Sequence, residues 1–118
     1  MKHIVVVEDD RNTLNLITYA LRNEQYVIIP VDNYCLAESI LKTIKPDVVL
    51  IDYFLDGRDA SDLLKLTETL YNKRTTVLVM SAFPGLKSKL NEYKIDGFIE
   101  KPFSLEELES IIFSTKKY

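Results

Sequence analysis

The stretch that most constrains the fold lies between Asp47 and Asp52, where four consecutive apolar residues separate the two aspartates. A strand with one face in water alternates apolar and polar residues, so an unbroken apolar run is typical of a strand buried on both faces. We therefore predict a central strand that ends at Asp52. In an open parallel α/β sheet, ligands bind beyond the carboxyl ends of the strands, and Asp52 stands at that position.

A second apolar run, residues 4–7, is followed by the acidic residues Glu8, Asp9 and Asp10. If this run is a strand parallel to the first, the acidic residues of both strands meet at one edge of the sheet. Asp10 stands where the N-cap of the following helix belongs. Glu8 and Asp9 are therefore the candidates to join Asp52 in a site.

The rest of the chain alternates short β-forming runs with amphipathic stretches at helical spacing. Parallel strands need crossover connections, and helices in those connections cover both faces of the sheet. The alternation predicts a single α/β domain over residues 1–118, with a doubly wound five-stranded parallel sheet and five helices. Pro30 cannot donate to a strand ladder, so the second strand is expected at an edge.

Capping residues and breakers delimit the predicted helices. Helix two is expected to begin near Asn33, Asp59 to cap helix three, and Ser104 with Glu107 to form a capping box for helix five. Pro84-Gly85 breaks the chain before a short fourth helix. The residues expected to face inward from helix three are Leu63, Leu64 and Leu70.

The composition of the chain excludes some classes of function. The formal net charge of −3 does not support the basic patch that nucleic-acid binding needs. The apolar runs are far shorter than the roughly 20 residues that span a bilayer, and the chain does not begin with a signal-peptide core. We therefore expect a cytoplasmic protein that binds neither nucleic acid nor membrane. The lone Cys35 is expected to be a small buried side chain in a helix.

Two more predicted strand ends carry polar residues, Ser81 after the fourth strand and Lys101 after the fifth. Taken singly, such residues are more often loop hydroxyls, caps or surface charges. Crowded carboxylates repel one another, which a bound cation relieves, and hard oxygen ligands favour Mg²⁺. A hydroxyl and an ammonium beside an aspartate nucleophile suit an incoming phosphoryl group. The coincidence at four strand ends therefore indicates phosphoryl chemistry with Mg²⁺.

The motifs at these strand ends also occur in a known order. They are Glu8-Asp9-Asp10, Leu50-Ile51-Asp52 with Leu55, Gly57 and Asp59 beyond it, Met80-Ser81-Ala82, and Lys101-Pro102-Phe103. In order and spacing they resemble the response-regulator receiver domain of two-component signalling, and the likeness covers the whole chain. The resemblance implies a flavodoxin-like fold with strand order 2-1-3-4-5. It also implies that the domain catalyses only its own phosphorylation and dephosphorylation and is otherwise no enzyme.

By this resemblance, Asp52 is the phosphoacceptor that takes a phosphoryl group from a phosphohistidine. Mg²⁺ would be held by Asp9, Asp52 and the backbone carbonyl of Phe54, with Glu8 acting mainly through water. Lys101 would pair with the phosphoryl group. The phosphoryl donor would be a histidine kinase or a phosphotransfer protein.

The resemblance also implies a switch. Ser81 would bind a phosphoryl oxygen and shift on activation, and Phe98 would be the aromatic residue that moves between buried and exposed positions, without the hydroxyl of the tyrosine common in the family. The readout would use the face of helix four, strand five and helix five. The Lys101-Pro102 peptide bond would be cis. The target would be a downstream protein or a fused effector domain, with homodimerisation on activation as a further expectation.

Some positions depart from the family pattern. The family often has Pro at the position of Asp56 and Gly at that of Ala60, which predicts a differently shaped loop after Asp52. The segment between Ser81 and Lys101 is slightly short, so the fourth helix is expected to differ. Because the chain runs out soon after helix five, we expect no effector domain within these 118 residues.

Phe54 lies two residues after Asp52, and Phe83 lies two residues after Ser81. In receiver domains, the side chains at these positions flank the path of the water that hydrolyses the phosphoryl group. Neither phenyl ring can hydrogen-bond to that water, so we predict a slowly lost phosphoryl group. The alternative is that both rings pack away from the site.

Three other functions stay open as alternatives. A haloacid-dehalogenase-type phosphatase also uses an aspartate nucleophile, but it needs a second Asp at the position of Phe54. A flavin-binding flavodoxin needs a phosphate loop rich in Ser, Thr or Gly, whereas Glu8, Asp9 and Asp10 would repel phosphate. The third alternative is a receiver fold that serves as a phosphorylation-independent protein-interaction module.

Overall fold

The structure is a computed structural model that describes residues 2–22, 25–71, 75–83 and 85–114. Pro84, half of the predicted Pro84-Gly85 break, lies outside these residues. The strands are β1 (Lys2–Val7), β2 (Tyr26–Val31), β3 (Val48–Asp52), β4 (Phe54–Leu55), β5 (Arg58–Asp59), β6 (Thr76–Ser81) and β7 (Gly97–Glu100). The helices are α1 (Arg11–Ala20), α2 (Tyr34–Thr43), α3 (Ser61–Leu70), α4 (Leu86–Lys89) and α5 (Leu105–Ser114). In this part of the chain, none of them has the length and apolar character that a membrane crossing needs.

Five strands form one parallel sheet in the order β2-β1-β3-β6-β7. Counted within the sheet alone, this is the predicted order 2-1-3-4-5, so the flavodoxin-like fold is confirmed. All of β3 is buried, as its apolar run predicts. β2 lies at an edge and its Pro30 is exposed, because a residue without an N–H is tolerated there.

Alternate side chains of the sheet enter two hydrophobic cores, one on each face. From β3, Val49 and Ile51 pack with side chains of α2, α3 and α4, whereas Leu50 packs with side chains of α1 and α5. The sheet is therefore covered on both sides, as a doubly wound fold requires. The carboxyl ends of the strands carry the polar residues of the candidate site.

The helix caps follow the predicted residues closely. The Asn33 side chain accepts a hydrogen bond from the Leu36 N–H at 2.8 Å. Ser104 and Glu107 form the reciprocal capping box, with bonds of 3.4 and 3.1 Å. Asp59 lies one residue before the N-cap position of α3, yet its carboxylate accepts the first N–H of that helix at 3.0 Å. These side chains satisfy N–H groups that a helix leaves without partners.

Two burial predictions are wrong. Cys35 is exposed, because the face of α2 that packs against the core carries Tyr34 and Ala37 instead. Leu70 is 38% exposed at the last residue of α3, and Thr67 is buried instead. Cys35 in α2 and Leu70 in α3 each lie beside the stripe of residues that faces the core, so the apolar character of the side chain alone predicts its burial wrongly.

The small antiparallel hairpin of β4 and β5 was not predicted. The pairs Phe54 with Asp59 and Leu55 with Arg58 leave a two-residue loop, Asp56-Gly57. Both loop residues have positive φ, 52° and 77°. An Asp-Gly loop with positive φ at both residues is a preferred hairpin connection. The loop after Asp52 is therefore a tight two-residue hairpin turn.

Candidate functional site

The carboxyl ends of four sheet strands bring five predicted side chains to one edge. Glu8 and Asp9 follow β1, Asp52 ends β3, Ser81 ends β6 and Lys101 follows β7. The strands are parallel neighbours, so these ends lie side by side. Glu8, Asp52 and Ser81 are buried, whereas Asp9 is exposed. The site therefore combines three buried side chains with one acidic side chain, that of Asp9, which is open to water.

The acidic residues form a compact cluster. One ligand oxygen from each of Glu8, Asp9 and Asp52 lies within 4.8 Å of the others. The Oε2 atom of Glu8 is buried and has no hydrogen-bond partner among the described residues, although buried polar atoms are normally paired. A small cation that prefers oxygen ligands and keeps several waters fits this set, and Mg²⁺ has those properties.

Lys101 is the positive group of the cluster. Its Nζ donates to Oδ2 of Asp52 at 2.9 Å and also donates to Oε1 of Glu8. Its side chain is 22% exposed, so the ammonium lies at the boundary between protein and water. The backbone also holds Lys101, because its N–H donates to the Ser81 carbonyl at 2.8 Å. The Lys101-Pro102 peptide bond is cis, as predicted.

The pKa shifts of Glu8 and Lys101 follow from this arrangement. Burial, followed by the nearby Asp52 side chain, raises the pKa of Glu8 to about 8, and Lys101 opposes both effects. Burial lowers the pKa of Lys101, but the hydrogen bonds to Glu8 and Asp52 outweigh it, so this pKa lies above its ordinary value. Lys101 is therefore a cation at neutral pH and offsets part of the negative charge.

Asp52 and Ser81 are also held by neighbouring backbone. The Phe54 N–H donates to Oδ1 of Asp52 at 3.3 Å. The Phe83 N–H donates to the Ser81 hydroxyl oxygen at 3.1 Å. Since that oxygen acts as an acceptor in this contact, its own proton is available for a bond to another group.

The side chains of Phe54 and Phe83 meet beside the site. Their ring centroids are 4.6 Å apart and the ring planes are inclined by 49°. Phe54 is 38% exposed and Phe83 is 57% exposed. The two rings therefore form an exposed aromatic pair between the segments that follow Asp52 and Ser81.

Phe98, the predicted switch residue, is half-buried on β7. It pairs in register with Val79 of β6 and packs against the core shared with α2, α3 and α4. It is therefore placed beside the strand that ends at Ser81, outside the acidic cluster.

Sequence reasoning missed Asp56 as a member of the site. Its backbone N–H donates to Oδ2 of Asp9 at 3.0 Å. The Asp-Gly pair is a hairpin signal and could have revealed the tight turn. The contact itself spans 47 residues and has no local sequence signal.

Comparison with known proteins agrees with this geometry. Residues 4–113 match the response regulator receiver domain family. The response regulator TrrA from Thermotoga maritima, solved in complex with Mg²⁺ and BeF, is 24% identical, with a TM-score of 0.81 over 97% of this chain and 98% of that one.

Two further solved structures have the same fold. The receiver domain of a sensor histidine kinase from Pseudomonas aeruginosa, with magnesium in its active-site cleft, is 22% identical, with a TM-score of 0.82 over 96% of this chain and 95% of that one. A LuxR-family DNA-binding response regulator from Staphylococcus aureus is 21% identical, with a TM-score of 0.82 over 97% of this chain and 98% of that one. Since the family match spans nearly the whole chain, this protein belongs to the response regulator receiver domain family.

Proposed function

We propose that Asp52 accepts a phosphoryl group from a phosphohistidine in the presence of Mg²⁺. The observation that carries the proposal is the bridge from Lys101 to both Asp52 and Glu8, within a cluster that Asp9 completes. Two relatives of the same fold bind magnesium. Glu8, Asp9 and Asp52 would hold the ion here, together with the Phe54 carbonyl, and the bound ion would offset charge on the transferring oxygens.

The chain's own residues supply the transfer chemistry. A carboxylate oxygen of Asp52 attacks phosphorus, the P–N bond breaks, and its electron pair returns to the imidazole of the donor. Lys101 donates to a phosphoryl oxygen from the position in which it now donates to Asp52. Ser81 donates its free proton to another phosphoryl oxygen. Each of these donors already lies at the strand ends, so little rearrangement is needed before transfer.

Phosphorylation then acts as a switch. When Ser81 bonds to the phosphoryl group, the end of β6 moves, and Phe98 on the neighbouring strand repacks. This biases a two-state equilibrium that is read on α4, β7 and α5. The donor is a histidine kinase or phosphotransfer protein, and the target is a downstream protein or a fused effector.

The aromatic pair of Phe54 and Phe83 sets the lifetime of the phosphoryl group. Their ring centroids are only 4.6 Å apart, which supports the idea that the two rings together cover the phosphorylation site. Neither ring can orient an attacking water by hydrogen bonding. The phosphoryl group is therefore lost slowly.

Intact mass measurement tests the proposal. The protein is incubated with a small-molecule phosphodonor, with and without Mg²⁺, as wild type and as Asp52→Asn. We expect one added phosphoryl group that requires both Mg²⁺ and Asp52. If folded wild type gains no mass under any condition, the domain is a phosphorylation-independent interaction module.

A further inference from the structure

We infer that Asp56 is a positioning residue for the metal site. Its backbone N–H holds the carboxylate of Asp9, and its side chain, anchored on the start of α2, fixes the direction of that N–H. The inference rests on the proposed function, because Asp9 is a proposed Mg²⁺ ligand.

The first contact joins Asp56 to the acidic cluster. The Asp56 N–H donates to Oδ2 of Asp9 at 3.0 Å. Asp9 is exposed, so without this bond its carboxylate would have to be ordered when an ion binds, at an entropic cost. Proline, which the family often has at this position, has no N–H to donate. The contact therefore depends on a departure of this chain from the family pattern.

The second contact joins the Asp56 side chain to α2. Oδ2 of Asp56 accepts a hydrogen bond from the Tyr34 N–H at 2.9 Å. Tyr34 is the first residue of α2, and N–H groups in a first helical turn have no partner within the helix. The N-cap residue Asn33 bonds to Leu36 instead. Asp56 therefore satisfies a different N–H, and the positive end of the helix dipole favours its charge.

The backbone of the hairpin makes the two contacts compatible. Asp56 has a φ of 52°, a conformation that Asp and Asn tolerate better than most residues. Arg58, two residues after Asp56, places its guanidinium carbon 3.6 Å from the centre of the Tyr34 ring. The hairpin thus contacts the start of α2 at two points, which leaves the Asp56 N–H directed at Asp9.

Calorimetric Mg²⁺ titration of the whole chain separates the role of the Asp56 side chain from that of its backbone N–H. Asp56→Asn keeps the N–H, the turn conformation and an acceptor for Tyr34. Asp56→Gly keeps the N–H and the turn conformation but loses the acceptor for Tyr34. Both remove one charge. The control Asp59→Asn removes the same charge from the same hairpin and keeps an acceptor for its partner Ser61.

We expect Asp56→Asn and Asp59→Asn to lower the Mg²⁺ affinity by the same small factor. Asp56→Gly should bind Mg²⁺ about three- to tenfold more weakly than Asp56→Asn, the range that one net hydrogen bond represents. Equal affinities for the Gly and Asn variants would overturn the inference and leave the metal site intact. A wild type that binds no Mg²⁺ would overturn both the inference and the proposed function.

Amide NMR gives a second readout that does not depend on activity. In wild type, the Asp56 amide resonance should shift during the Mg²⁺ titration with the calorimetric midpoint. In Asp56→Gly, the amide at position 56 should exchange with solvent about three- to tenfold faster, while β3 amides keep their protection and so report an intact fold. An Asp56 amide that does not respond to Mg²⁺ in wild type would contradict the inference even if the variant failed to fold.

Discussion

The ammonium nitrogen of Lys101 lies 2.9 Å from Oδ2 of Asp52, across a sequence separation of 49 residues. The same nitrogen donates to Glu8, which is fully buried. Lys101 therefore supplies positive charge and hydrogen bonds to both acidic groups before any metal or phosphoryl group arrives. The contact also places a hydrogen-bond donor beside one carboxylate oxygen of Asp52.

Replacing this ammonium should destabilise the fold. In Mg²⁺-free buffer, Lys101→Met leaves Glu8 and Asp52 without their counter-charge, and we expect the free energy of unfolding to fall by about 2 to 3 kcal/mol. Mg²⁺ should restore more stability to this variant than to wild type. Urea unfolding with and without Mg²⁺ measures both effects. Lys87→Met, at an exposed position of α4, is the control, and an equal loss in both variants would contradict the expectation.

Opening the aromatic pair should shorten the phosphoryl lifetime. Phe54→Asn and Phe83→Glu each place a hydrogen-bonding side chain where water approaches, and we expect phosphoryl loss to be at least about tenfold faster. The decay is timed by intact mass after the phosphodonor is removed. Phe113→Leu, another exposed phenylalanine far along the chain, should leave the lifetime unchanged. Unchanged lifetimes in all three variants would show that the rings do not control water.

Tyr71 should make stability sensitive to alkaline pH. Its hydroxyl donates to the carbonyls of Leu41 and Ile44, and burial raises its pKa to about 12. The unfolded chain loses this proton first, near pH 10. The stabilising contribution is therefore complete below pH 10 and is lost as the pH rises to 12.

Tyr71→Phe removes both hydrogen bonds and should cost about 1 kcal/mol at pH 8. Its stability difference from wild type should shrink between pH 10 and 12, as denaturant unfolding at several pH values would reveal. Tyr19→Phe is the control, because Tyr19 is 70% exposed. A difference for Tyr71→Phe that stays constant up to pH 12 would contradict the assignment.

The central strand should dominate stability. Leu50 in β3 is fully buried, and Leu50→Ala should lower the free energy of unfolding by about 3 kcal/mol through lost burial and a cavity. Leu36→Ala removes the same atoms from a side chain that is 43% exposed and should cost less than about 1 kcal/mol. Similar losses in both variants would mean that β3 does not hold the core together.

Much of the fold could be predicted because its signals are local. The apolar run before Asp52, the Pro30 edge signal and the Ser104 with Glu107 capping box each depend on a few adjacent residues, and each was confirmed. The wrong predictions have a common cause. Cys35 and Leu70 lie at the margin of an inward stripe, where the neighbouring elements decide which side chain is covered.

The sequence by itself determined the order of elements and the residue types at the strand ends, because hydrophobic periodicity and caps act over one or two turns of chain. Only the tertiary structure decided how those residues meet: that Lys101 bonds to Glu8 and Asp52, that Asp56 reaches both Asp9 and Tyr34, and that the rings of Phe54 and Phe83 touch. Such contacts join distant segments. Their geometry depends on strand register, helix packing and loop conformation together, which no single stretch of sequence encodes.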